Sequence, residues 1–200
     1  GGGSGIGASI TEGFLEQGAK VAFVGRSDAT AFCDEMETAH GVSPLFMQCD
    51  ITDTDQLKAC MDQAAKAHGP VTCLVNNAAN DKRHSTAEVD SDFFDWMIAI
   101  NLKAYFFACQ AVMPGMQAAG GGSIINFSSV SYMMGNAAYP LYTRANSAIN
   151  GMTRSLARAF GPDKIRVNAL APGWALTQIQ LAMWATPEGL EAHMDRPCLN

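Results

Sequence analysis

Short apolar segments at residues 20–24, 44–48, 71–75, 123–127 and 165–169 alternate with longer amphipathic ones at 6–17, 28–40, 53–68, 92–117 and 139–160. Few folds accommodate that alternation. Strands covered on both faces need nearly continuous apolar sequence, and parallel neighbours need a crossover of helix length between them. The pattern therefore predicts β-α units wound into a parallel sheet with helices on both sides, an α/β doubly wound architecture. Local signals agree. Thr52 with Asp55 reads as a helix N-cap, Pro140 fits the first turn of its helix, and Gly18, Gly69 and Gly161 stand where helices should stop.

Two hundred residues with 48% hydrophobic content suit one domain over 1–200, since domains run to about 250 residues. The ends suggest a fragment. Residue 1 falls inside a glycine-rich turn with no strand or methionine ahead of it, and a polar stretch follows Cys198; a first strand and a C-terminal end are expected to be missing. A net charge of −6 excludes a basic surface for nucleic acid or anionic membrane, so the expected partner is a small molecule. Cys33, Cys49, Cys60, Cys73, Cys109 and Cys198 form no CxxC pair and no ligand spacing, which predicts reduced, mostly buried thiols, no metal site and a cytoplasmic protein. No apolar run approaches the ~18 residues of a membrane span, and no leader pattern is present.

The chemistry-bearing residues follow the predicted strands. Gly1-Gly2-Gly3-Ser4-Gly5-Ile6-Gly7 opens the first helix. Glycines there let backbone approach a pyrophosphate, which the helix N-terminus then faces with free amides and a positive dipole end. Read alone, such a turn also fits a flexible terminus. After the strand at 20–24 come Gly25, Arg26 and Ser27. An acidic residue at this point would bind the ribose 2′-OH of NAD, whereas an arginine accommodates the 2′-phosphate of NADP. Gly25 with Arg26 favours NADP and leaves NAD possible; Asp28 nearby opposes a phosphate, and a solvated Arg26 is the alternative.

Asp50-Ile51 follows the next strand, Asn76-Asn77-Ala78-Ala79 the one after, and Asn101, Ser129, Tyr142 and Pro172-Gly173 come in order behind them. Ser129 lies thirteen residues before Tyr142. In this joint spacing the chain resembles the short-chain dehydrogenase/reductase family along essentially its whole length. The resemblance implies that Asp50 and Ile51 meet the adenine, that Asn76 and Ala78 stabilise the sheet beside the cofactor, and that Pro172, Gly173 and Thr177 adjoin the nicotinamide. It further implies a catalytic set of Asn101, Ser129, Tyr142 and a lysine. Ser129 would hold the substrate oxygen, Tyr142 would exchange its proton, and Asn101 would hold a water in a proton relay.

The departure falls at Asn146, four residues after Tyr142, where the family pattern has the lysine. Residues i and i+4 share a helix face. A cation there would lower a phenol pKa from ~10; Asn146 reaches a ribose hydroxyl but brings no charge. Arg144 points to another side of the helix. A second reading follows, in which the chain is a catalytically impaired relative that still binds dinucleotide.

The stretch Asn77-Ala78-Ala79-Asn80-Asp81-Lys82-Arg83-His84, and also Asn126-Phe127-Ser128-Ser129, is similar to bacterial aldose 1-dehydrogenases of this family. That implies oxidation of a sugar's anomeric hydroxyl to a lactone, with Asn80, Asp81, Arg83 and His84 toward the substrate, Ser131 and Trp174 as pocket walls and Trp184 in a covering loop. A solvated, internally paired loop is the other reading of Asp81, Arg83 and His84. The family also implies a homo-oligomer, tetramer or dimer, through the helices at 92–117 and 139–160.

Overall fold

A computed structural model describes residues 1–135, 137–183 and 185–194. The elements run α1 (Gly5–Glu16), β1 (Ala22–Gly25), α2 (Thr30–His40), β2 (Leu45–Gln48), α3 (Thr54–His68), β3 (Cys73–Asn76), α4 (Ser91–Ile98), α5 (Ala104–Ala118), β4 (Gly122–Phe127), α6 (Pro140–Phe160), β5 (Ile165–Leu170), α7 (Gln178–Met183) and α8 (Pro187–Met194). Every strand pairing is parallel, and helices flank the strands. The expected alternation holds throughout, with ends shifted by one or two residues, and α7 and α8 are additional. Asp53 rather than Thr52 caps α3, its carboxylate accepting from the amides of Asp55 and Gln56. Gly161 keeps a right-handed helical backbone, and the left-handed turn falls on Lys164 instead (φ 59°).

The strands form two pieces, β1-β2 and β3-β4-β5. A groove lined by residues of both β1 and β3, with Gly1, Gly2 and Gly7 at one end, lies between them; no strand occupies it among the described residues. The core packs α3, α5 and part of α6 over β3-β4-β5, where Leu57, Cys109, Met116, Ile124, Leu156, Ile165 and Val167 are buried together. Four of the five described cysteines are buried and all five are free, but Cys73 is exposed; Cys198 lies outside the described residues.

Helices α4 and α5 are one continuous rod, Ser91–Ala118, interrupted by a π-turn at Ala99–Lys103. The turn has a local cause. Asn101 Nδ2 donates to the carbonyl of Met97 at 3.0 Å, the acceptor an α-helix reserves for the amide of residue 101. The ladder slips to a five-residue step from Ala104 to Ala99. By length and composition this rod could cross a membrane, a property that Asp92, Asp95 and Lys103 mask in the sequence. Half of its most apolar window is buried inside the protein, as in a core helix.

Candidate active site

The loops after all five strands border one cleft of about 900 Å³. Parallel strands bring their C-terminal ends to the same edge, so Arg26, Ile51, Ala78, Ser129 and Pro172 meet there although they span 147 positions (172 − 26 = 146 steps). The glycine turn forms one wall. A Cβ on Gly7 would lie 1.8 Å from the Gly1 carbonyl oxygen, and one on Gly2 would lie 2.5 Å from Phe23 Cβ. Only glycine lets the turn close this tightly. Asn77 Nδ2 holds the Gly1 carbonyl at 3.4 Å, tying the turn to the end of β3. Ser4 precedes α1 without capping it by its side chain, and the first turn of α1 carries no acidic residue. That end of the helix, lining the cleft through Ser4, Gly5 and Ile6, suits an anionic ligand, and the residues present fit the pyrophosphate of a dinucleotide.

Arg26 is exposed and lines the cleft beside Gly25. Asp28 spends one carboxylate oxygen on Thr30, accepting from its amide at 3.1 Å and its hydroxyl at 2.7 Å, which lowers its pKa. The acid that seemed set against a phosphate thus caps its own helix. Asp50 behaves similarly, with Oδ1 accepting from the Thr52 amide and hydroxyl. Cys49 and Ile51, rather than Asp50, line the cleft.

On the opposite wall Tyr142 rises from the first turn of α6 toward Ser129, at the end of β4. Burial raises the Tyr142 pKa above its ordinary value, and hydrogen bonding from the side chains of Asn146 and Ser129 pulls it down by less. The charge of Asp81 adds to the rise. No cation offsets it there: Arg144 is turned outward, 5.6 Å from the Phe94 ring. Asn146 is buried, donating Nδ2 to the Tyr142 carbonyl at 2.9 Å, while its own carbonyl accepts from Ser128 and Asn150. The site therefore keeps its tyrosine protonated at neutral pH.

Asn101 is 2% exposed and fully engaged. Its Oδ1 accepts from the Asn80 amide at 2.8 Å and its Nδ2 donates to the Asn80 carbonyl at 3.0 Å. It anchors the loop after β3 and does not line the cleft, so the water-holding amide expected of it is here occupied by backbone. Asn76, buried, likewise turns inward to Asn126 Oδ1 at 2.9 Å. His84 corrects the expectation of a substrate contact. Its Nδ1 meets the Lys82 carbonyl at 2.8 Å, its Nε2 accepts from the Leu141 amide at 3.3 Å, and its ring edge meets Phe93. Both ring nitrogens are consumed by backbone, which fixes the start of α6 against the loop at 80–84.

Of the expected residues, Gly1, Ser4, Gly5, Ile6, Arg26, Ile51, Ala78, Asp81, Arg83, Ser129, Ser131, Tyr142, Pro172, Gly173, Trp174 and Thr177 line the cleft. Gly7, Asp50, Asn76, Asn80, His84, Asn101 and Asn146 stand behind it as supports. Asp81 and Arg83 form an ion pair at 3.6 Å, and the Arg83 guanidinium lies 4.0 Å over the Tyr139 ring. Ser131 Oγ is buried without a hydrogen-bond partner in the cleft wall, a position that a ligand hydroxyl would satisfy. Tyr139 and Gln180 also line the cleft and were not expected; no sequence spacing announces them. Trp184 lies outside the described residues. Away from the cleft, Glu12, Glu16 and His40 bring ligand atoms within 4.8 Å of one another, a grouping not foreseen in the sequence.

A glycine-rich helix start facing a serine and a tyrosine across one cleft, at the C-terminal edge of parallel strands, defines a nicotinamide-dependent oxidoreductase. The short chain dehydrogenase model matches residues 1–188, and the chain belongs to that family. It is 43% identical over its whole length to "Probable galactose dehydrogenase GalD" of Rhizobium meliloti (strain 1021), covering 78% of that protein. It is also 43% identical to the D-xylose 1-dehydrogenase of Caulobacter vibrioides (strain NA1000 / CB15N), covering 100% of this chain and 79% of that one. Among solved structures, a blue fluorescent protein from a metagenomic library in complex with NADPH superposes with a TM-score of 0.81 at 37% identity, over 86% of this chain and 71% of that one. The protein is accordingly an NAD(P)-dependent dehydrogenase of a sugar or alcohol, with relatives among bacterial aldose dehydrogenases.

Proposed function

We propose that this chain oxidises the anomeric hydroxyl of an aldose to the lactone, with NADP as its favoured acceptor. The observation carrying this reading is the pairing of Tyr142 and Ser129 in a cleft whose outer part is polar, formed by Asp81, Arg83, Ser131 and Gln180. Ser129 donates a hydrogen bond to the reacting oxygen and holds it beside the phenol. Tyr142, as phenolate, takes the hydroxyl proton while the carbon-bound hydrogen leaves as hydride; the nicotinamide, when bound, receives that hydride at C4. Pro172, Gly173 and Thr177 orient the carboxamide end, and Ser4, Gly5 and Ile6 receive the pyrophosphate. Arg26 favours a 2′-phosphate, a choice supported by the engagement of Asp28 with Thr30. Assembly with like subunits along α5 and α6 fits the exposure of Phe106 on α5.

Asn146 favours a second reading, a dinucleotide-binding relative with slow turnover. A proton acceptor whose pKa is raised is mostly in the wrong protonation state at neutral pH, and acid-base help is worth about 10² to 10⁴ in rate. One experiment separates the two: NADPH and NADH binding followed by fluorescence, then turnover on aldoses from neutral to alkaline pH. Binding with sugar-dependent reduction of NADP supports the first reading. Binding without turnover at any pH selects the second, and absence of binding rejects both.

A further inference from the structure

Gln180 joins three parts of the cleft that are remote in sequence. Its Nε2 donates to Asp81 Oδ2 at 3.1 Å, its Oε1 accepts from the Trp174 indole Nε1 at 2.9 Å, and its amide reaches Thr177 Oγ1 at 3.4 Å. Asp81 Oδ2 also faces Arg83, which stacks on Tyr139, whose ring meets Tyr142 edge-on at 5.4 Å. A continuous path of contacts thus runs from α7 to the phenol. All of these residues line the cleft.

We propose that Gln180 is a specificity-determining residue, which with Asp81 receives the hydroxyl groups of a polyhydroxylated substrate and binds α7 over it. The assignment rests on the sugar-oxidising reading above. A primary amide has two N–H donors and two acceptor lone pairs on its oxygen, so after the bonds to Asp81 and Trp174 it keeps one donor and one acceptor. A carboxylate keeps further lone pairs. Together they complement hydroxyls, each of which donates and accepts. An apolar alcohol of the same size would strip water from both groups and leave them unpaired, which is how buried polar groups reject a substrate lacking hydroxyls. Because Gln180 rides on α7, each contact it makes with a sugar also holds the cover down.

The test uses the full chain loaded with NADP, with D-xylose, D-galactose and cyclohexanol as probes, and calorimetry to read their binding. Gln180→Leu removes every hydrogen bond at similar volume. It is expected to weaken sugar binding about ten- to a hundredfold, leaving cyclohexanol and NADP affinity unchanged. Hydrogen exchange at residues 80–84 and 174–183 should rise in this variant even without sugar. Gln180→Glu sets a second carboxylate against Asp81. Sugar affinity in it should be low at neutral pH and recover as pH falls through the carboxylate range, when a shared proton restores the donor; loss of packing alone would give no such profile. Sugar binding unchanged by Gln180→Leu, an equal loss for cyclohexanol, or a flat pH profile in Gln180→Glu each overturns the assignment. If the unaltered protein binds NADP but no sugar, the sugar-oxidising reading falls and this assignment with it.

Discussion

The two walls of the cleft are made of different material. The wall at Gly1–Ile6 presents main chain, shaped by positions where a Cβ would collide with backbone or Phe23. The facing wall presents side chains, with Tyr142, Ser129, Asp81, Arg83, Tyr139, Trp174 and Gln180 held by one another. A main-chain wall binds what all dinucleotides share, and a side-chain wall can be retuned one residue at a time. That division allows the family to keep its cofactor and vary its substrate.

The largest effect expected is on the side-chain wall. Asn146→Lys should raise kcat at neutral pH by about 10² to 10⁴, measured as NADPH formation with a saturating aldose. In the unaltered chain log kcat should climb with pH by about one per unit below the Tyr142 pKa, which lies above the ordinary ~10, and the lysine variant should reach its plateau earlier. A rate that is already high and flat with pH would break the idea that this wall lacks a cation. Gly7→Ala probes the other wall. Its Cβ must displace the Gly1 carbonyl, a rearrangement of about 1 to 3 kcal/mol, so NADPH should bind roughly ten- to a hundredfold more weakly, read by fluorescence titration. Sugar affinity of whatever complex still forms should change little.

A smaller effect sharpens the boundary between lining and support. His84→Phe fills the volume but leaves the buried Leu141 amide without its acceptor, costing about 1 to 3 kcal/mol in urea unfolding. If stability is unchanged and only sugar affinity falls, His84 belongs to the wall itself. Arg26→Ala is the mildest: NADP affinity should fall by about tenfold, near the 1.4 kcal/mol of one charge-assisted contact, with NAD affinity unchanged. An equal loss for both nucleotides would remove Arg26 from the choice of cofactor.

The main-chain wall was legible in the sequence because glycine spacing is a local record of backbone geometry. Gly1 to Gly7, and the β-α alternation behind them, could be placed from the chain alone. The Ser129–Tyr142 pair was legible as well, since it ties the end of a strand to the first turn of the next helix. Roles on the side-chain wall were harder. His84 sits in the same polar run as Asp81 and Arg83, yet its ring turns inward, because Leu141, 57 positions away, supplies a buried amide needing an acceptor. Gln180 meets Asp81 across 99 positions, and nothing near either residue signals the partner. Asn101 was found, but its amide is consumed by Asn80, a contact that depends on the slipped turn in its own helix.

That slipped turn fixes the phase of everything after it. One surplus residue in a rod of 3.6 residues per turn rotates the following half by about 100°. Phe93 and Met97 before the turn, and Ala108, Cys109, Val112 and Met116 after it, both look inward despite being out of step on a regular helical wheel. Removing a single residue between 99 and 103 would swing the inner stripe of α5 toward water while leaving its composition almost untouched. The chain thus tolerates changes of identity along this rod far better than a change of count.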